Sequence, residues 1–109
     1  MEVKSITILK QVKTMLEDSF KNEIKHIVLF GSRAEGKAKE YSDYDILIIL
    51  KTDEYDWKFK YKIMELIYNI ELENDIIIDI HILSDYELNN TLRGKQPIFE
   101  KALRTGVYA

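Results

Sequence analysis

Two apolar runs with acids set into them limit what this chain can fold into. Residues 43–50 read Asp-Tyr-Asp-Ile-Leu-Ile-Ile-Leu, and residues 75–83 read Asp-Ile-Ile-Ile-Asp-Ile-His-Ile-Leu. Runs this short and this rich in β-branched residues are strands covered on both faces, since a strand with one wet face alternates polar with apolar residues. The spacing of Trp57, Tyr61, Met64, Ile67 or Tyr68, and Leu72 predicts a helix over about 54–72, with Thr52-Asp53 as its cap and those residues as its core face. Ile6, Leu9, Val12, Met15, Leu16 and Phe20 predict an earlier helix from about Ser5 to Lys21. A short strand follows over His26–Phe30, and Gly31-Ser32 opens a short helix through Glu35 that Gly36 ends. The strands themselves run over about 44–50 and 76–83. Ser84-x-x-Glu87 is a capping box, and Pro97 starts a last helix that stops at Gly106. Helices alternating with strands in a chain of 109 residues, without repeat or linker, give one α/β (α+β) domain: a small mixed sheet flanked by helices in two or three layers.

The acids carry the chemistry. Alternate side chains of a strand share a face, so Asp43 and Asp45 project together, one pleat apart. Two carboxylates so placed suit a hard divalent cation such as Mg²⁺, which takes oxygen ligands and completes its shell with water and phosphate. Asp79 stands in the middle of the second apolar run, where an ionised carboxylate is costly unless it is paired or metal-bound. Three acids on two strands thus make one candidate cluster. Ahead of them, Gly31-Ser32 can present backbone N–H groups and a helix N-terminus to an anion. A phosphate cradle followed by carboxylates is the layout of a metal–nucleotide site.

Composition narrows the partners. There are 16 basic and 19 acidic residues, a formal net charge of −3, which argues against nucleic-acid binding through a broad basic surface and favours a nucleotide over a polymer as the anionic ligand. Without cysteine there is neither a disulfide nor a thiolate metal site. No apolar run is long enough to span a bilayer, and Glu2 and Lys4 interrupt any signal-peptide pattern at the N-terminus. The expectation is a soluble cytoplasmic protein with no membrane partner, whose oligomeric state the pattern leaves open.

Gly31-Ser32, ten intervening residues, Asp43-x-Asp45 and the later strand acid Asp79 resemble the nucleotidyltransferase superfamily typified by DNA polymerase β. Within it the chain is most similar to the minimal nucleotidyltransferases, the MntA-type antitoxins paired with HEPN-domain toxins, and the similarity extends into the ending Gln96–Val107. The resemblance implies a nucleotidyltransferase-like fold and transfer of a nucleoside monophosphate from ATP or another NTP, with two Mg²⁺ ions. Asp43, Asp45 and Asp79 become the catalytic and metal residues, Asp79 also a candidate general base, and Gly31, Ser32 and Arg33 the nucleotide contacts. The implied acceptor is a tyrosine hydroxyl on a cognate HEPN toxin, silenced by AMP addition. One position departs from the pattern. Glu35 stands where many relatives carry a basic residue, and Lys37 or Lys39 is the local candidate to replace it.

Other readings of the same residues compete. Gly31 alone is an ordinary turn, Ser32 an ordinary cap and Arg33 a solvated helix-start arginine. His81 shares a predicted face with Asp79 and reads first as a strand histidine satisfied by its neighbours. The aromatic residues of the 54–72 helix read as packing and not as a base-stacking platform. At the level of function the rivals are a binding module that neutralises its partner by contact, transfer to a small molecule such as an aminoglycoside, and a regulatory nucleotide-binding domain.

Overall fold

The computed structural model describes residues 2–109. Its elements in chain order are α1 (Val3–Phe20), β1 (Ile24–Phe30), α2 (Ser32–Glu35), β2 (Tyr44–Leu50), α3 (Trp57–Asn74), β3 (Ile78–Ser84), α4 (Asp85–Asn90), α5 (Pro97–Thr105) and β4 (Val107–Tyr108). The strands form one sheet in the order β3-β2-β1-β4. β2 runs antiparallel to β1 and parallel to β3, and β4 returns antiparallel to β1. The sheet is mixed, as expected, because α3 is a crossover between parallel neighbours whereas the 31–43 connection merely turns the chain back.

Strand alternation sorts the side chains into two cores. Ile27 and Leu29 of β1, Tyr44, Ile46, Ile48 and Leu50 of β2, and Ile78 and Ile82 of β3 meet α1 and α3 on one face. Val28, Phe30, Leu47, Ile49 and Leu83 meet Phe99 and Ala102 of α5 on the other. The central strand is therefore dry on both sides, which is why its sequence lacks polar alternation. Helices α1 and α3 pack antiparallel. Gln11 accepts a hydrogen bond from the Asn74 side chain at 2.9 Å near one end, and the Phe20 and Phe59 rings lie 4.7 Å apart near the other.

The third helix corrects the sequence expectation in both its start and its inner face. Its cap is Asp56, whose carboxylate accepts the Phe59 N–H at 3.0 Å, and not Thr52-Asp53. Ile67, one of the two alternatives expected at its position, is buried together with Ile63 and Ile70, while Trp57 (71% exposed), Tyr61, Met64, Tyr68 and Leu72 face outward. Two apolar stripes run along this helix, and the isoleucine stripe is the one that seats against the sheet. In α1, Ile8 is buried in place of Ile6, which is exposed. The Ser84–Glu87 capping box forms with both of its bonds, Gly36 ends α2 in the left-handed conformation, and Pro97 opens α5.

Candidate active site

The register of the strands brings the acids together. Phe30 of β1 pairs with Asp45 of β2, and Asp45 pairs with Asp79 of β3, so a row across three strands runs from the Gly31 turn to the edge of the sheet. Asp45, Asp79 and His81 lie on the face that α5 covers only in part. Gly31 leaves β1 at φ +74°, a conformation that L side chains rarely adopt, and a Cβ there would stand 2.2 Å from Asp45 Oδ2. Glycine is thus required twice over, by its backbone conformation and by the carboxylate against it. The chain then enters α2, where the Ala34 and Glu35 amides bond back to Gly31 O at 3.1 and 3.0 Å. The amides of Ser32 and Arg33 precede these and have no acceptor within so short a helix.

Burial, then the charges of Asp79 and Asp43, push the Asp45 carboxyl above its ordinary value. His81 opposes them, and a hydrogen bond with Asp79 adds to the rise. Asp79 differs from the sequence expectation of a carboxylate immersed in an apolar strand: β3 is the sheet edge, and the Asp79 side chain is 54% exposed. Its Oδ2 lies 3.5 Å from His81 Nε2. The imidazole in turn sits between the Phe30 and Phe99 rings, with centroids at 5.8 and 5.6 Å, so its tilt is fixed by packing. Asp43 stands exposed just before β2 and acts on Asp45 through space.

Among the described residues no three acidic or imidazole side chains close into a metal cage. The chemistry of the donor set nevertheless suits a hard divalent cation: two carboxylates in contact, a third nearby, and only a half-buried imidazole to offset them. Such a cation takes a few protein oxygens and fills its shell from water and phosphate.

Arg33 is not part of this constellation. It is only 6% exposed, and its guanidinium donates to Ser42 O at 2.9 and 3.2 Å and to Glu40 O at 3.1 Å, pairs with Glu2 at 3.1 Å and stacks 4.4 Å over the Tyr44 ring. Its donors are committed to the loop that delivers Asp43, so the guanidinium expected at the nucleotide is held against the 40–42 backbone. On a helix of one turn, adjacent residues point in different directions, and the sequence gives no sign of which one faces inward.

Beside Gly31 and Asp45 lies a pocket of about 200 Å³, closed on its far side by Ile98, Lys101 and Thr105 of α5. Lys101 Nζ pairs with Glu35 Oε1 at 3.2 Å across its mouth. Lys37 and Lys39 do not line it. A larger hollow, about 520 Å³, lies between α1 and α3 on the opposite face of the sheet, away from the acids.

A family model described as a nucleotidyltransferase domain matches residues 9–103. The chain belongs to that family. Two curated relatives, both from Methanocaldococcus jannaschii and both named "putative protein adenylyltransferase", are similar to it. One is 36% identical over 73 residues, 67% of this chain and 73% of the relative, and the other is 31% identical over 84 residues, 77% and 78% respectively. The fold matches that of a crystal structure titled as a "putative nucleotidyltransferase" from Sulfolobus solfataricus, with a TM-score of 0.53 at 24% identity, covering 95% of this chain and 80% of that one. The protein is a nucleotidyltransferase, of a family that draws on nucleoside triphosphates and divalent metals. In this nucleotidyltransferase, sequence reasoning missed Lys101, Thr105 and Phe99. Their spacing marks only an amphipathic helix, and it is the pairing of β4 with β1 that folds α5 back over the acids. Among the described residues no helix is long and apolar enough to cross a membrane.

Proposed function

We propose that this nucleotidyltransferase is a protein adenylyltransferase that moves AMP from ATP to a hydroxyl of a partner protein, with a tyrosine of a cognate HEPN toxin as acceptor and neutralisation of that toxin as the outcome. The observation that carries the reading is the Asp45–Asp79 pair across β2 and β3 beside the Gly31 turn. The relatives named as protein adenylyltransferases support the acceptor class.

Gly31 lets the backbone come close to the triphosphate, and the Ser32 amide and hydroxyl donate to its outer oxygens. Asp43 and Asp45 would hold a Mg²⁺ ion, and Asp79 would share a second with them. Mg²⁺ supplies charge neutralisation along the phosphates and a lowered pKa for a bound hydroxyl. Asp79 Oδ2 takes the proton of the acceptor hydroxyl, and His81 steadies that carboxylate. The hydroxyl oxygen bonds to the α-phosphorus as the bond from that phosphorus to the bridging oxygen breaks, and pyrophosphate leaves. Arg33 contributes indirectly by fixing the 40–42 loop and so the place of Asp43.

The test is label transfer. The protein is incubated with Mg²⁺, α-labelled ATP and the product of the neighbouring gene, beside the Asp43→Ala/Asp45→Ala double variant. Label and the mass of one AMP on the partner, absent with the variant, are the expected result. A stable complex that silences the partner without label would replace the reading with neutralisation by contact.

A further inference from the structure

Three features of the pocket beside the acids stand apart from the site residues described so far. Among the described residues that line it Lys101 is the one cation; the acids Glu35 and Asp45 line it too. The arginine that sequence reasoning placed here is buried against the 40–42 loop, with its donors already taken. And Lys101 reaches the pocket from α5 with its ammonium 3.2 Å from Glu35, on a side chain that is still 62% exposed. A triphosphate seated at Gly31 would bring several negative charges to a place where the protein is itself acidic. It requires a counter-charge from this chain as well as from metal.

We infer that Lys101 is a substrate-binding residue that meets the phosphate chain of the nucleotide, and that Glu35 parks its ammonium at the pocket mouth until the nucleotide arrives. The proposal rests on the NTP reading of the site. It gives the acid at position 35 a role: the cation comes from α5, and the acid keeps it pointed at the pocket. Lys101 is flexible and solvent-wetted, so exchanging a carboxylate for a phosphate needs a rotamer change and no backbone movement. The two residues therefore have opposite effects. Loss of the lysine removes a phosphate contact, whereas loss of the Glu35 charge frees the lysine and removes a repulsion.

The experiment is calorimetric titration of the full chain with Mg²⁺ and the non-transferable α,β-methylene analogue of ATP, then with inorganic tripolyphosphate and with adenosine. Lys101→Met should weaken both phosphate ligands by about tenfold, the scale of one charge-assisted hydrogen bond, and leave adenosine unchanged. Lys101→Arg should recover most of that loss, and Glu35→Gln should tighten the phosphate ligands by about two- to fivefold. Wild type that binds the analogue, with Lys101→Met binding it equally well, overturns the inference alone. Wild type that binds neither phosphate ligand overturns the NTP reading of the site itself. Weakening by Glu35→Gln as large as that by Lys101→Met overturns the parking role, since it marks the pair as a structural bridge.

Discussion

The two ends of the β2–β3 pair hold carboxyl groups under opposite conditions. At the entry to β2, Asp45 is half-buried against Asp79 with Asp43 nearby, and its pKa is raised. Beyond the last residue of β3, Glu87 closes the capping box on the Ser84 N–H at 3.1 Å, accepts the Tyr55 hydroxyl and lies 3.8 Å from Arg93. Burial would raise its pKa as well, but these donors outweigh burial and lower it. One acid, on β2, is left short of partners, and the other, on the helix that follows β3, is supplied with several. The difference is between a charge left uncompensated and a charge the fold satisfies, and on the proposed reading the first is a group kept for a cation, because unpaired carboxylates are tolerated where one is to bind.

Asp45→Asn tests that difference with the largest expected effect. On the proposed reading nucleotidyl transfer should fall by about a thousandfold or more, since a carboxylate assigned to the metal and its charge are lost, while the melting temperature should rise by a few degrees because a destabilising charge is gone. A fall in both would place Asp45 among the structural acids. Glu87→Ala should do the reverse: stability drops by about 2 kcal/mol from the lost cap and the orphaned Tyr55 hydroxyl, read by denaturant unfolding, with nucleotide affinity unchanged. Tyr55→Phe removes one of the Glu87 partners and should cost about 1 kcal/mol in the same measurement.

The pH dependence sharpens the contrast with the smallest effect. Glu87 has a folded pKa below the ordinary glutamate value of 4.5, so its stabilising contribution is present above pH 4.5 and fades as the pH falls through the folded value. Asp45 has a folded pKa above 3.8, so its penalty is full above the folded value and is relieved as the pH falls toward 3.8. In wild type the two trends oppose each other on acidification. Melting curves between neutral pH and pH 3 should therefore fall more steeply for Asp45→Asn than for wild type and less steeply for Glu87→Gln. Parallel curves for all three would remove the distinction.

Several elements could be read from the chain because local rules fix them. The limits of β2, the one-turn α2 with its Gly36 stop, the Ser84–Glu87 box and the Pro97 start each depend on residues within a few positions of one another. Asp43, Asp45 and Asp79 were legible as candidates from the motif and from their setting in apolar runs. The inner face of α3 was not, since Trp57, Tyr61, Met64, Tyr68 and Leu72 keep helical spacing as well as Ile63, Ile67 and Ile70 do, and a hydrophobic stripe carries no label for the surface it will meet.

Sequence alone determined that the chain has two largely apolar strands, acids at defined places along them, a glycine turn ahead of them and helices to cover the sheet. These follow from periodicity and backbone chemistry, which act over short distances. Only the tertiary structure decided that Asp45 and Asp79 share a register position, that Arg33 turns away to hold the 40–42 loop, and that Lys101 comes round from α5 to the pocket. Each of those joins residues far apart in the chain or chooses between faces of equal local merit, and both choices are settled by which packing closes the core around β2.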